Sequence, residues 1–207
     1  MKALFDLYAE RYDKWYAQHV ALYASELAAV RSVSCEGGVE VGVGTGKFAG
    51  PLGLRAGVDP SVGMLKLAPR ELDLAAGVGE RLPFRDGAFP CSLLVVTLCF
   101  VEDPVAVLRE SARVAERVVA CIVPRESPWG RRYVEEGARG HVFYSKARFY
   151  TVAEVVAMAA SAGLTPARAV ATLSYGPDGG ERYEEPRDVS LEEAERFGFV
   201  CVEFKKS

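Results

Sequence analysis

The chain has 207 residues, 50% of them hydrophobic and 26% charged, with a formal net charge of −3 at pH 7. That length and composition describe one globular domain and exclude disordered, fibrous and disulfide-scaffold classes. The weakly acidic balance supplies no broad cationic field for a phosphate backbone, which counts against nucleic acid as a partner, although a local basic patch stands between Arg125 and Arg139.

From the N-terminus, apolar side chains at helical spacing (Leu4, Tyr8, Tyr12, Trp15, Tyr16, Val20, Tyr23, Leu27) predict one or two helices over residues 3–31. The opening stretch MKALFDLYAERYDKWY is charged and amphipathic with no signal-peptide core, so a cytoplasmic location is expected. GGVEVGV reads as a short buried strand, and KFAGPLG as the start of a helix that Pro51 and Gly53 cut short. RAGVD (55–59) is a second strand, SVGMLKLAP (61–69) a short helix capped by Ser61, and ELDLAAGV (71–78) a third strand. The loop LPFRDGAF leads to the apolar run CSLLVVTLCF, a strand covered on both faces, too short to cross a bilayer. A helix over 103–115 precedes another apolar strand, RVVACIV (117–123). After a long irregular stretch, 151–163 reads as a helix with Thr151 and Glu154 as a capping box and Gly163 as terminator, followed by strands over 167–175 and 197–205.

Seven strands alternating with helices predict an α/β, three-layer, Rossmann-like domain with a mostly parallel sheet. Ligands of such sheets lie beyond the carboxyl ends of the strands, where Gly42–Gly46, Asp59, Glu80 and Thr97 are expected. The five cysteines are odd in number and lack metal-ligand spacing, so no metal site is expected and they read as buried free thiols. Cys91 and Cys99 are assigned to the core rather than to nucleophilic chemistry. The chain has no Asn and a single Gln, Gln18, which hints at a thermophile, the setting in which intracellular disulfides also occur.

The glycines Gly42, Gly44 and Gly46 stand at alternate positions after the first strand. Glycine there permits positive φ and removes the Cβ that would keep a ligand off the main chain. The spacing departs from the dinucleotide fingerprint, because the third glycine comes one position early and Asp59 arrives too soon. No Gly-Lys-Ser/Thr follows either, so the phosphate-binding P-loop fails. Glu40, just ahead of the loop, would repel a pyrophosphate and attract an ammonium or sulfonium group.

Three motifs in order, VEVGVGTGKF, GVDPSVGML and GERLPFRDGAFP, resemble the class I S-adenosylmethionine-dependent methyltransferases, in particular the small-molecule group that includes ubiquinone and menaquinone biosynthesis enzymes. The resemblance covers about residues 1–125 and implies the methyltransferase form of the fold, a seven-stranded sheet whose last strand is antiparallel. It implies S-adenosylmethionine as cofactor, S-adenosylhomocysteine as product and a small-molecule methyl acceptor. It divides the chain into an N-terminal helical lid (1–35), a cofactor-binding core (36–125) and a substrate-side segment (126–207). Carried over by residue, Gly42, Gly44 and Gly46 would line the methionine and ribose portion, with Glu40 near the amino group through water. Asp59, followed by Pro60, would take the ribose hydroxyls and Met64 would pack on the adenine. Glu80 and Arg81 would flank the adenine, and Thr97 and Leu98, ending the fourth strand, would lie near the methyl group. Val78 stands where the family often has an adenine-binding Asp.

The lid resemblance singles out Tyr12, with Asp13, over the cofactor; an aromatic ring there could attract a sulfonium. His141 and Tyr144, where the family builds substrate pockets, are candidate catalytic groups with Tyr12, against the plainer readings of packing and a surface histidine. Arg131, Arg132, Arg139, Lys146 and Arg148 read as a solvated face or as partners of an anionic substrate. The base-amine motif is absent after the fourth strand, where TLCF stands, which favours a small-molecule acceptor. A non-catalytic S-adenosylmethionine-binding or regulatory domain, a nicotinamide-dependent oxidoreductase and a homodimer stay open at this point.

Overall fold

A computed structural model describes residues 2–207. The N-terminal periodicity forms two helices, α1 (Lys2–Gln18) and α2 (Val20–Ser32), separated at His19, whose φ of −116° and ψ of 51° are not helical. Then follow β1 (Val39–Val41), β2 (Ala56–Asp59), α3 (Val62–Leu65), β3 (Asp73–Ala76), β4 (Phe89–Val95), α4 (Pro104–Val114) and β5 (Ala115–Ile122). The last third holds α5 (Pro128–Ala138), α6 (Val152–Ser161), β6 (Leu164–Thr172), β7 (Arg187–Asp188), α7 (Leu191–Ala194) and β8 (Phe199–Lys206).

The strands form one sheet in the order β3-β2-β1-β4-β5-β8-β6-β7. The first five are mutually parallel; β8 runs antiparallel to β5 and β6, and β7 antiparallel to β6. The sheet therefore has eight strands where seven were expected. The extra one, β7, is a two-residue exposed edge strand, too short and too polar to leave an alternating signature. Successive side chains of the central strands point to opposite faces, so Leu94 and Val118 join α4 and α6 in one core, while Leu93 and Val119 join α2 in the other. Both faces are thus covered, which is why these strands read as unbroken apolar runs.

The caps read from sequence are present. Ser61 Oγ accepts the Met64 N–H at 3.1 Å, and the Thr151–Glu154 capping box closes with bonds of 3.1 and 2.7 Å. Other expectations fail. Residues after Lys47 form a series of turns rather than a helix, because Pro51 and Gly53 (φ 66°) stop the spiral after the Gly50→Gly46 and Leu52→Phe48 bonds. The supposedly irregular stretch after β5 contains α5, which Ser127 caps at 3.0 Å with Pro128 in the first turn.

The free-thiol reading is also overturned, since Cys35 pairs with Cys91 and Cys121 with Cys201 as disulfides. Cys121 and Cys201 are register partners across β5 and β8, a juxtaposition set by pairing strands far apart in sequence. Cys99 alone is a free thiol among the described residues, and it is buried.

Candidate functional site

The chain runs outward from β1 to β2 and β3, then crosses back to β4 and β5, so the direction of winding reverses between β1 and β4. A crevice opens there beyond the strand ends. Gly42, Gly44 and Gly46 cross it with φ of 76°, 54° and 74°. These values lie in the region that side chains other than glycine rarely adopt. A Cβ on Gly42 would stand 2.5 Å from Thr97 Cγ2, and one on Gly44 would stand 3.1 Å from Met64 Cε. Gly46 instead presses on Pro69, 2.6 Å from where its Cβ would be, so it serves the packing of the loop.

A cavity of about 430 Å³ lies over this floor, lined among others by Tyr12, Gly42, Gly44, Asp59, Pro60, Met64, Glu80 and Thr97. Of the residues expected there, Glu40, Gly46 and Arg81 stand outside the lining. The buried carboxylate of Asp59 accepts the Gly44 N–H on Oδ2 at 2.9 Å and the Ser61 N–H on Oδ1 at 2.8 Å. Burial raises its pKa against the opposing pull of those two bonds. Glu40 is buried in β1 with Oε2 lacking any hydrogen-bond partner, and desolvation pushes its carboxyl well above the ordinary range. Glu80 Oε1 accepts the Glu102 N–H at 3.1 Å, which holds the loop before α4. Thr97, beyond the end of β4 rather than within it, donates to the Val41 carbonyl at 3.0 Å.

Helix α1 closes one side. Asp6 Oδ1 accepts the Ser61 hydroxyl at 2.7 Å and the Gly63 N–H at 2.8 Å, and Asp13 pairs with Lys47 at 2.7 Å. The N-terminal helix is thereby tied to both the glycine loop and α3.

A second cavity, of about 220 Å³, lies across Tyr12. Phe5, Tyr12, Val96 and Phe100 line both cavities, which adjoin there. Val96 has a φ of 51°, a strained conformation for a β-branched residue, and it turns the chain out of β4 at this point. The rest of the second cavity is mostly aromatic: Trp15 and Tyr16 from α1, Tyr133 from α5, then Phe143, Tyr144 and Phe149. The Tyr12 and Tyr16 hydroxyls are 2.8 Å apart, while Tyr133 and Tyr144 stack at 4.4 Å.

His141 and Tyr144, both singled out from sequence, line this second cavity, and their rings stack at 4.1 Å. The plainer surface reading of His141 does not describe a half-buried ring. Desolvation lowers its pKa, with Glu136 opposing, so the imidazole is neutral at pH 7. Its Nδ1 accepts the Tyr144 N–H at 3.3 Å, which leaves Nε2 as the protonated nitrogen and makes the ring a donor rather than a base. Burial holds the Tyr144 phenol above its ordinary range.

Cys99 is core, as expected, its thiol pushed up to about 12 by burial. Arg131, Arg132 and Arg139 pair with Glu126, Glu136 and Glu135 and form a solvated face. The sequence reading missed Glu26, a buried acid of α2 that also lines the aromatic cavity. An acid at helical spacing among apolar neighbours (Leu22, Ala29, Val30) was the signal available.

A family model for the methyltransferase domain matches residues 39–122. An uncharacterized protein of Methanocaldococcus jannaschii is 37% identical over 175 residues, 82% of this chain and 85% of that protein. An uncharacterized protein of Mycobacterium tuberculosis is 40% identical over 185 residues, 85% of this chain, and the matched region spans 65% of that longer relative. Among solved structures, a Thermotoga maritima S-adenosylmethionine-dependent methyltransferase, described as a possible histamine N-methyltransferase, superposes with a TM-score of 0.90 at 34% identity, covering 100% of this chain and 99% of that one.

Proposed function

The chain belongs to the S-adenosylmethionine-dependent methyltransferases, and from that premise we propose that it methylates a small molecule held in the aromatic cavity. The observation that carries this reading is the lining shared by the two cavities, so that a donor in one and an acceptor in the other would meet beside Tyr12, Phe5, Val96 and Phe100. Membership of this family sets aside the nicotinamide reading.

The residues of the first cavity fit the cofactor. Each oxygen of Asp59 has one backbone donor, which leaves each a lone pair for a neighbouring ribose hydroxyl. Gly44 is bare where a Cβ would crowd Met64, the side chain suited to an adenine face. Glu40 lies outside that cavity's lining, and its orphaned Oε2 would reach the cofactor's ammonium only through a bridging water. With Val78 in place of an acid, the adenine amino group is left to backbone carbonyls or to the second oxygen of Glu80. Gly46 acts through the packing of its loop against Pro69. When bound, S-adenosylmethionine supplies an electrophilic methyl carbon whose bond to sulfur breaks as an acceptor lone pair attacks, leaving S-adenosylhomocysteine.

The chain's own contribution is alignment and exclusion of water. Tyr12 covers the meeting point, and the Asp6 and Asp13 bonds hold α1 closed over it. This supports residues 1–35 as a lid, 36–125 as the cofactor core and 126–207 as the acceptor side, the last supplying Tyr133, His141 and Tyr144 to the aromatic cavity. A confined apolar cavity rather than an open basic groove supports a small molecule over nucleic acid. A cytoplasmic setting belongs to the same proposal; among the described residues no helix is long and apolar enough to cross a membrane. The two disulfides accord with a thermophilic source. A homodimer is left to sedimentation velocity.

Thermal unfolding with added ligand tests the reading. S-adenosylhomocysteine at about 100 times its Kd should stabilise by about 2.7 kcal/mol, or roughly 5–10 °C, with no shift from NADH. A shift with NADH alone would refute it.

A further inference from the structure

Among the described residues, Glu26 is the only carboxylate lining the aromatic cavity. The residue is 8% exposed, and its carboxyl has neither a hydrogen-bond nor an ion-pair partner among the described residues. An acid that served only the fold would be paired or hydrogen-bonded, because burying one alone is costly. Here the acid is unpaired, and it faces a space large enough for a ligand. Resting on the methyltransferase reading above, we propose that the methyl acceptor is a small primary or secondary amine whose nitrogen is received by Glu26 within the aromatic cavity.

The walls suit that guest. Tyr12, Tyr16 and Tyr133 put aromatic rings on the cavity wall, both faces of Tyr144 are taken by Tyr133 and His141, and Phe143 and Phe149 offer apolar surface to a short hydrocarbon or ring. The cavity, about 220 Å³, is smaller than the roughly 300 Å³ at which drug-sized sites begin, which limits the acceptor to a ring and a short arm or its equivalent. A carboxylate guest would carry its charge among mostly aromatic walls with only Arg11, on the exposed face of α1, among the described lining residues to offset the lost hydration.

Proton movement gives the proposal a chemical role. An amine reaches the site as an ammonium, and it must lose a proton before its lone pair can attack. Burial pushes the Glu26 carboxyl up to about 8, so it rests mostly protonated at pH 7. Two arrangements are open to the bound pair, ammonium beside carboxylate or neutral amine beside carboxylic acid. Either holds one proton fewer than the separated ammonium and carboxylic acid, and that proton passes to solvent on binding. In the second arrangement, with an amine N–H donating to a Glu26 oxygen, the nitrogen lone pair is left for the methyl carbon. Around Glu26, burial raises the phenols of Tyr12, Tyr16, Tyr23, Tyr133 and Tyr144 and lowers His141, so these stay neutral near pH 7, while Glu136 pairs with Arg132 and Arg11 lies on the exposed face of α1.

The test is calorimetry on the protein saturated with S-adenosylhomocysteine at pH 7, in two buffers of different ionisation enthalpy. The probes are 2-phenylethylamine and its N-methyl homologue, neutral 2-phenylethanol and anionic 3-phenylpropanoate. The amines should bind best, releasing roughly one proton, and the anion should bind at least about tenfold more weakly. Glu26→Gln should keep its affinity for S-adenosylhomocysteine and 2-phenylethanol, weaken the amines at least about tenfold and abolish proton release. Should that variant not fold, proton release by the wild type and the order of the probes decide. Amines that fail to bind, bind without proton release or bind no better than the anion would overturn the proposal. Absence of S-adenosylhomocysteine binding would instead overturn the methyltransferase reading.

Discussion

Replacing Glu26 with Gln should stabilise the folded protein, and the gain should depend on pH in a direction fixed by burial. Desolvation raises the Glu26 carboxyl from an ordinary 4.5 to about 8. Between those values the folded state holds a proton that the unfolded state has given up, so unfolding free energy falls as pH rises. The contribution is intact below the unfolded pKa and lost by the time pH reaches the folded one. At 1.36 kcal/mol per unit, the interval of about 3.5 units caps the loss at about 5 kcal/mol. Water in the neighbouring cavity softens the penalty, so a difference of about 2–5 kcal/mol is expected at pH 8. Glutamine has nearly the same shape and no charge, so the two proteins should be about equally stable at pH 4.5. Urea unfolding at pH 4.5, 6.5 and 8, disulfides intact, measures the difference. A Glu26→Gln effect that stays constant to within about 0.5 kcal/mol over this range would refute the reasoning, because Glu26 would then carry no perturbed proton. The comparison between variants cancels the contributions of Glu40 and Asp59, which are also raised.

Other perturbations follow from the same geometry. Asp59→Ala removes the acceptor opposite Gly44 and should weaken S-adenosylhomocysteine at least about tenfold by calorimetry; unchanged affinity would remove Asp59 from the site. Gly44→Ala puts a Cβ 3.1 Å from Met64 Cε at a φ of 54°, and should cost about 1 kcal/mol of stability with a further loss of cofactor affinity. Reducing Cys35–Cys91 and Cys121–Cys201, which span separations of 56 and 80 residues, should lower the unfolding free energy by about 4 kcal/mol for each bridge. Equal denaturant midpoints with and without reductant would show that the bridges do not restrain the unfolded chain.

Much of the fold was legible because its strands are buried on both faces and its helix caps are local. β4 and β5 announce themselves as apolar runs, and Thr151 with Glu154 marks the start of α6 within four residues. The glycine loop was readable for the same reason, since positive φ after a strand is a local demand that glycine meets. What failed was non-local or weakly patterned. Cys121 meets Cys201 only once β8 has paired with β5. The strand β7 is too short to carry a period, and α5 hides behind a Ser-Pro start in a charged stretch. The end of β4 was misread because Val96 adopts a conformation that its residue type disfavours, which no propensity anticipates. The aromatic cavity draws on α1, α2, α5 and the segment before α6, so its members were visible singly, as Tyr12, His141 and Tyr144 were, but not as a set. Glu26 lay inside an apolar helix pattern, where a single acid passes for a break in the stripe.

Which of the two cavities holds the cofactor is read directly by a crystal structure of the protein with S-adenosylhomocysteine. The ribose should lie against Asp59 over Gly44, with the sulfur turned toward the wall of Tyr12 and Phe100 and the aromatic cavity beyond it left free. A ligand seated instead among Tyr133, Tyr144 and Glu26, or found away from the glycine loop, would contradict the account.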